Sequence, residues 1–112
     1  MIKIRHSKIK DNTPYCMIHA QGHACYDERG KDIVCAGVST LMFTLAAAAA
    51  ELADGEKINV STELQPGDMS VVICGAGAAE LPQFEQVYDT VLCGLRLLSV
   101  KYPEYIQLSD VT

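Results

Sequence analysis

The stretch Gly22-His23-Ala24 … Gly30-Lys31-Asp32-Ile33-Val34-Cys35-Ala36-Gly37-Val38-Ser39 carries the chain out of a strand and into a helix. The eight residues from Ala24 to Lys31 are enough to fold the chain back on itself. Asp32 is a natural N-cap, so the helix is expected to start at Ile33. A histidine then stands at the end of the strand, and Cys35 lies in the first turn of the helix. A thiol there has two physical reasons to ionise. The positive end of the helix dipole and a nearby imidazolium both favour the thiolate, the nucleophilic form of cysteine.

Outward from this stretch, Ile33 to Ala53 predicts one long helix with Val34, Val38, Leu41, Leu45, Ala48 and Leu52 as its core stripe. A second face of smaller residues carries Cys35, Ser39, Met42 and Ala46. Ala53-Asp54-Gly55 is expected to end the helix, with Gly55 suited to a left-handed cap. On the N-terminal side, Ile2 to His6 alternates apolar and polar residues, and Asp11 to Pro14 supplies turn chemistry. Tyr15 to Gln21 reads as the second strand of that hairpin, with Cys16, Ile18 and Ala20 on one face. On the C-terminal side, Lys57 to Glu63 and Met69 to Cys74 read as strands joined by the turn Gln65-Pro66-Gly67-Asp68. Gly75 to Pro82 is a small-residue connection. A second helix over Gln83–Lys101 buries Phe84, Val87, Tyr88, Val91, Leu92, Leu95 and Leu98. Tyr102-Pro103 stops it, and Tyr105 to Val111 is a tail able to add a short edge strand. The expectation is an α+β domain over residues 1–112, ordered strand-strand-helix-strand-strand-helix. It has a four-stranded, mostly antiparallel sheet with both helices on one side.

Composition narrows the function. The chain has 112 residues, 49% of them hydrophobic, enough for one ordinary core. Nine basic residues against 14 acidic ones give a net charge of −5, which argues against nucleic acid as a ligand. The five cysteines cannot all pair, and none forms a C-x-x-C. Met1 to Lys10 does not read as a signal peptide, and the long apolar run is interrupted by Ser39, Thr40 and Thr44. A cytoplasmic protein with reduced thiols and no membrane association is expected.

Each candidate site residue has a second reading. Cysteine is often a buried core residue, and position alone separates Cys35 from the other four. His23, beside Gly22 and Ala24, is either a solvent-exposed loop residue or the base that takes the thiol proton. Asp32 either caps the helix, accepting from the Cys35 amide, or turns to His23 and fixes its tautomer; capping is the commoner use. The first-turn amides also offer an oxyanion site. Ser39 faces the same side as Cys35 and bonds either within the site or to its own helix. His19-x-x-x-His23 would share a metal on a helix, but on a strand the two are about 13 Å apart, so no metal is expected. Gly75-Ala76-Gly77-Ala78-Ala79-Glu80 lacks the third glycine of a dinucleotide fingerprint, and no cofactor is expected.

The two blocks Gly22-His23-Ala24 and Asp32-Ile33-Val34-Cys35-Ala36-Gly37-Val38-Ser39, at their separation, resemble the ribosomal-processing cysteine protease family, Prp. The resemblance implies Cys35 as nucleophile and His23 as base, on a small α+β fold that forms homodimers. It implies as substrate the short N-terminal extension of a large-subunit ribosomal protein, number twenty-seven in the standard list. Gly22, Ala24, Gly30 and Ser39 would lie along the substrate-binding loop, which opens and closes over a peptide. Cys25 departs from the family, which often has glycine there; it stiffens the loop and can pair with Cys35 under oxidation. The readings set against the protease are a non-catalytic ribosome-assembly or peptide-binding factor, and a redox sensor built on Cys25 and Cys35.

Overall fold

The computed structural model describes residues 1–10, 15–28, 31–54, 58–75 and 81–112. In chain order the elements are β1 (Ile2–Ile9), β2 (Tyr15–Gln21), α1 (Ile33–Ala53), β3 (Ile58–Gln65), β4 (Asp68–Gly75), α2 (Leu81–Lys101) and β5 (Ile106–Asp110). The expected turn at Asp11–Pro14, the Gly55 cap, Gly30, Lys57 and the run from Ala76 to Glu80 lie outside the described residues.

The sheet has five strands in the order β3-β4-β2-β1-β5, not four. The added strand is the C-terminal tail, and it runs parallel to β1, with Ile2 opposite Ile106 and His6 opposite Asp110. Its alternation of Ile106 and Leu108 spans only five residues, too short to weigh on periodicity alone. The remaining pairs are antiparallel: β1 with β2, β2 with β4, and β3 with β4. Of these antiparallel pairs, the one between strands not consecutive in the chain is β4 beside β2. That pairing carries the Pro66–Gly67 turn to the end of β2, directly before Gly22 and His23; Gln21 stands opposite Asp68.

Period-two patterning explains which face is covered. Ile4 pairs with Ala20, and Ile18 with Val71, so Ile4, Ala20, Ile18 and Val71 all point to one side and are buried. On the opposite face Arg5, Met17, His19, Ser70 and Val72 are exposed or half-buried. There an Arg5 guanidinium nitrogen lies 2.8 Å from His19 Nδ1, and His19 Nε2 lies 2.6 Å from Asp68 Oδ1.

The core side of α1 is Val34, Val38, Met42, Leu45, Ala46 and Ala49. This stripe is rotated from the expected one: Leu41, Ala48 and Leu52 are only half-buried, and Met42 and Ala46 of the small-residue face are in the core. The reason lies in α2. A Cβ on Gly94 would stand 3.0 Å from a Leu41 methyl, and one on Gly37 3.2 Å from a Leu98 methyl. Each helix thus seats a leucine on the other's glycine, which places Leu41 in the helix–helix seam and turns Met42 toward the sheet. In α2, Phe84, Tyr88, Val91, Leu92 and Leu95 are buried, with Val87 and Leu98 half-buried. The Tyr88 hydroxyl lies 3.2 Å from the Ser7 carbonyl and 3.1 Å from the Met17 carbonyl, binding β1 and β2 to α2.

His6 is a buried polar residue of β1 with a pH consequence. Burial pushes its pKa down, Asp110 pulls it up and Arg96 pushes it down again, leaving it below the ordinary histidine value. The unfolded chain therefore takes the proton first as pH falls. The stability from a neutral His6 is complete above about pH 6.5 and is lost as pH drops below it toward the folded pKa. Wild type is expected to melt at progressively lower temperature between about pH 7 and pH 5. A His6→Gln variant should show a flatter profile over that window, and parallel profiles would refute the assignment.

Candidate active site

Asp32 organises the site. Its Oδ1 accepts from the amides of Val34 and Cys35, each at 3.0 Å, and caps α1. Its Oδ2 accepts from the amides of Tyr26 at 3.0 Å and Asp27 at 3.4 Å. One buried carboxylate thus closes the helix with one oxygen and holds the incoming loop with the other. Burial opposes its charge, but the amides of Cys35, Tyr26 and Asp27 outweigh that, and its pKa lies below the usual carboxylate value. The Tyr26 ring adds a second fastening, edge-on to Tyr102 at 5.6 Å and to Tyr105 at 5.2 Å.

So held, the loop brings the Ala24 amide to 3.3 Å from Cys35 Sγ. The thiol is half-buried and lines a cavity of about 620 Å³. Its lining includes Ala36, Val38 and Ser39 of α1, Pro66, Gly67, Asp68 and Met69 of the β3–β4 turn and β4, and Gly22, His23, Cys25 and Asp27. This volume suits a segment of peptide with its side chains. The expected site residues Gly22, His23, Asp32, Cys35 and Ser39 therefore line one space. Ala24 is buried behind it and offers its amide.

Cys35 differs from the other thiols. Cys16 is sealed in the core, and burial pushes it up to about 11. Cys74 and Cys93 are exposed outside the cavity lining. Cys35 is itself raised above its ordinary value, first by burial; the Ala24 amide lowers it, and the Asp32 carboxylate and Cys25 raise it again. Of the two causes expected to favour the thiolate, the helix terminus does not lower this thiol below its ordinary value. The Val34 and Cys35 amides that would stabilise negative charge are already spent on Asp32 Oδ1, and Ala36 donates to the Asp32 carbonyl at 3.0 Å. The same bonds remove those amides as oxyanion donors, leaving the Ala24 amide as the donor aimed at the sulfur.

The imidazole of His23 is exposed and rests against the β3–β4 turn. A Cβ built on Gly67 would lie 2.7 Å from Nε2. The sequence placed this turn correctly but not beside His23, because no local signal encodes which strands pair. Cys25 takes φ +58°, a left-handed conformation that glycine adopts freely and cysteine rarely. It lines the same cavity as Cys35. His19, facing Arg5 and Asp68 across the sheet, takes no part in the cavity lining.

The family model described as cysteine protease Prp matches residues 1–107. This chain belongs to the Prp family of cysteine proteases. Among solved structures, it is similar to the essential ribosomal processing protease Prp from S. aureus in complex with a covalently linked product peptide. The TM-score is 0.77 at 24% identity, covering 98% of this chain and 99% of that one. The S. aureus protease with a substrate peptide aligns with a TM-score of 0.70 at 24% identity, over 98% of this chain and 99% of that one. SMU.848 from Streptococcus mutans aligns with a TM-score of 0.69 at 25% identity, over 98% of this chain and 93% of that one. A comparison with curated proteins found no match. The solved relatives share the Prp fold, and membership of the family makes this chain a cysteine protease.

Proposed function

We propose that this Prp-family protease removes the N-terminal extension of a large-subunit ribosomal protein, number twenty-seven, in the cytoplasm. Cys35 is the nucleophile and His23 its base. The observation that carries this reading is the meeting of both residues on one peptide-sized cavity, with a backbone amide 3.3 Å from the sulfur. The family resemblance of the two sequence blocks supplies the substrate and extends to a homodimer.

In the proposed reaction His23 takes the Cys35 proton as an electrophilic carbon, of the scissile carbonyl or of an alkylating reagent, reaches the sulfur. This suits a thiol whose resting pKa is raised. The sulfur attacks the carbonyl carbon, and the Ala24 amide is placed to follow the charge as it passes from sulfur to oxygen. The imidazolium protonates the leaving amine, giving a thioester that water, activated by the same imidazole, hydrolyses.

The test is incubation with a synthetic peptide spanning the extension and the first mature residues. One cut releasing the extension is expected, with an acyl adduct on the Cys35-containing fragment after acid quench. Tight binding of the peptide without any cut would overturn the proposal in favour of a docking factor.

A further inference from the structure

We propose that the Pro66–Gly67 turn is the platform that positions the His23 imidazole, and that Gly67 is a positioning residue for the proton transfer. The inference rests on the reading of His23 as the base. Gly67 takes φ +78°, as the third residue of the tight β3–β4 connection, and its missing side chain is where the imidazole lies. A Cβ there would stand 2.7 Å from Nε2, 3.0 Å from Cε1 and 3.5 Å from Cδ2. Ordinary contacts between such atoms are about 3.5–4.0 Å, so any side chain at this position displaces the ring by about 1 Å.

The platform is itself fixed from two sides. The Gly22 amide donates to the Gly67 carbonyl at 2.8 Å, tying the turn to the residue just before His23. On the far face Asp68 Oδ1 lies 2.6 Å from His19 Nε2, and His19 Nδ1 lies 2.8 Å from the Arg5 guanidinium. A turn anchored at both of its flanks does not yield to an incoming Cβ; the exposed ring does. The turn lines the same cavity as His23 and Cys35, so the ring that rests on it shares that space with the sulfur.

Two substitutions separate collision from backbone strain. Gly67→Ala adds a Cβ and strains the left-handed backbone, whereas Gly67→Asn adds the same Cβ with a residue that tolerates that backbone. Both are expected to lower kcat/KM roughly ten- to hundredfold, mainly through kcat, the scale of a 1 Å misplacement of a catalytic group. The Asn variant should melt close to wild type. A second readout is the pH dependence of Cys35 alkylation, followed by mass on the Cys35-containing fragment. Both variants should shift it toward the His23→Ala profile, and neither should shift it further in a His23→Ala background. A Gly67→Asn enzyme with wild-type kcat and alkylation profile would overturn the positioning role. So would an alkylation shift that is equally large without His23. If His23→Ala alone leaves the alkylation profile unchanged, the reading of His23 as base fails and this inference with it. If His23→Ala shifts the profile and Gly67→Asn does not, this inference alone fails.

Discussion

Cys35→Ala is expected to abolish cleavage of the extension peptide, with a loss of at least about 10⁴-fold, because it removes the atom that forms the bond to substrate. That loss corresponds to roughly 5.5 kcal/mol of transition-state stabilisation. The fold should be unaffected. Cys35 packs against the core on one side but is open to the cavity on the other, so its loss opens no sealed void. Peptide binding should therefore survive in this variant. The other thiols provide the contrast. Cys16 is sealed in the core, and Cys74 and Cys93 lie outside the cavity lining, so conservative substitutions at all three should retain cleavage. Cleavage by Cys35→Ala at wild-type rate, or its loss on substitution of Cys74 or Cys93, would overturn the assignment of the nucleophile.

Asp32→Ala is expected to destabilise the fold and to lower activity as well. It removes the acceptor of the Val34, Cys35, Tyr26 and Asp27 amides at once. Loss of a helix cap alone costs about 0.5–2 kcal/mol, and amides left unpaired in a buried setting add to this. A total of about 2–4 kcal/mol is expected, measured as the change in urea midpoint at constant slope. The loop that carries His23 and the Ala24 amide loses one of its fastenings, so kcat should fall even well below the melting temperature. Asp32→Asn separates charge from capping. It keeps an acceptor for one pair of amides but removes the negative charge that raises Cys35, so alkylation of Cys35 should have its midpoint at lower pH than in wild type. An Asp32→Ala variant as stable as wild type would show that water replaces the carboxylate without loss.

How much of this was legible varies from element to element. The helix Ile33–Ala53 follows from its cap and its apolar spacing, and its structural bounds are those the spacing predicts. The Pro66–Gly67 turn follows from turn chemistry, and the positive φ at Gly67 is what that chemistry requires. The core stripe of α1 lies one position from the expected one in places, because Leu41 and Met42 are both apolar and only the glycine of a facing helix decides between them. The fifth strand was visible as a possibility in the tail, but its parallel pairing with β1 was not.

For this protein the sequence alone determined the local units: a capped helix bearing a cysteine in its first turn, a histidine ahead of a loop, two hairpins and a second amphipathic helix. Each depends on neighbours a few residues apart, and periodicity, caps and turn residues are all short-range properties. The tertiary structure alone decided what those units do together. Pairing of β4 with β2 carries Gly67 to the His23 ring, and the two oxygens of Asp32 divide between helix and loop. Long-range strand order and the sharing of one buried carboxylate are settled by packing across the whole core, which no window of sequence contains.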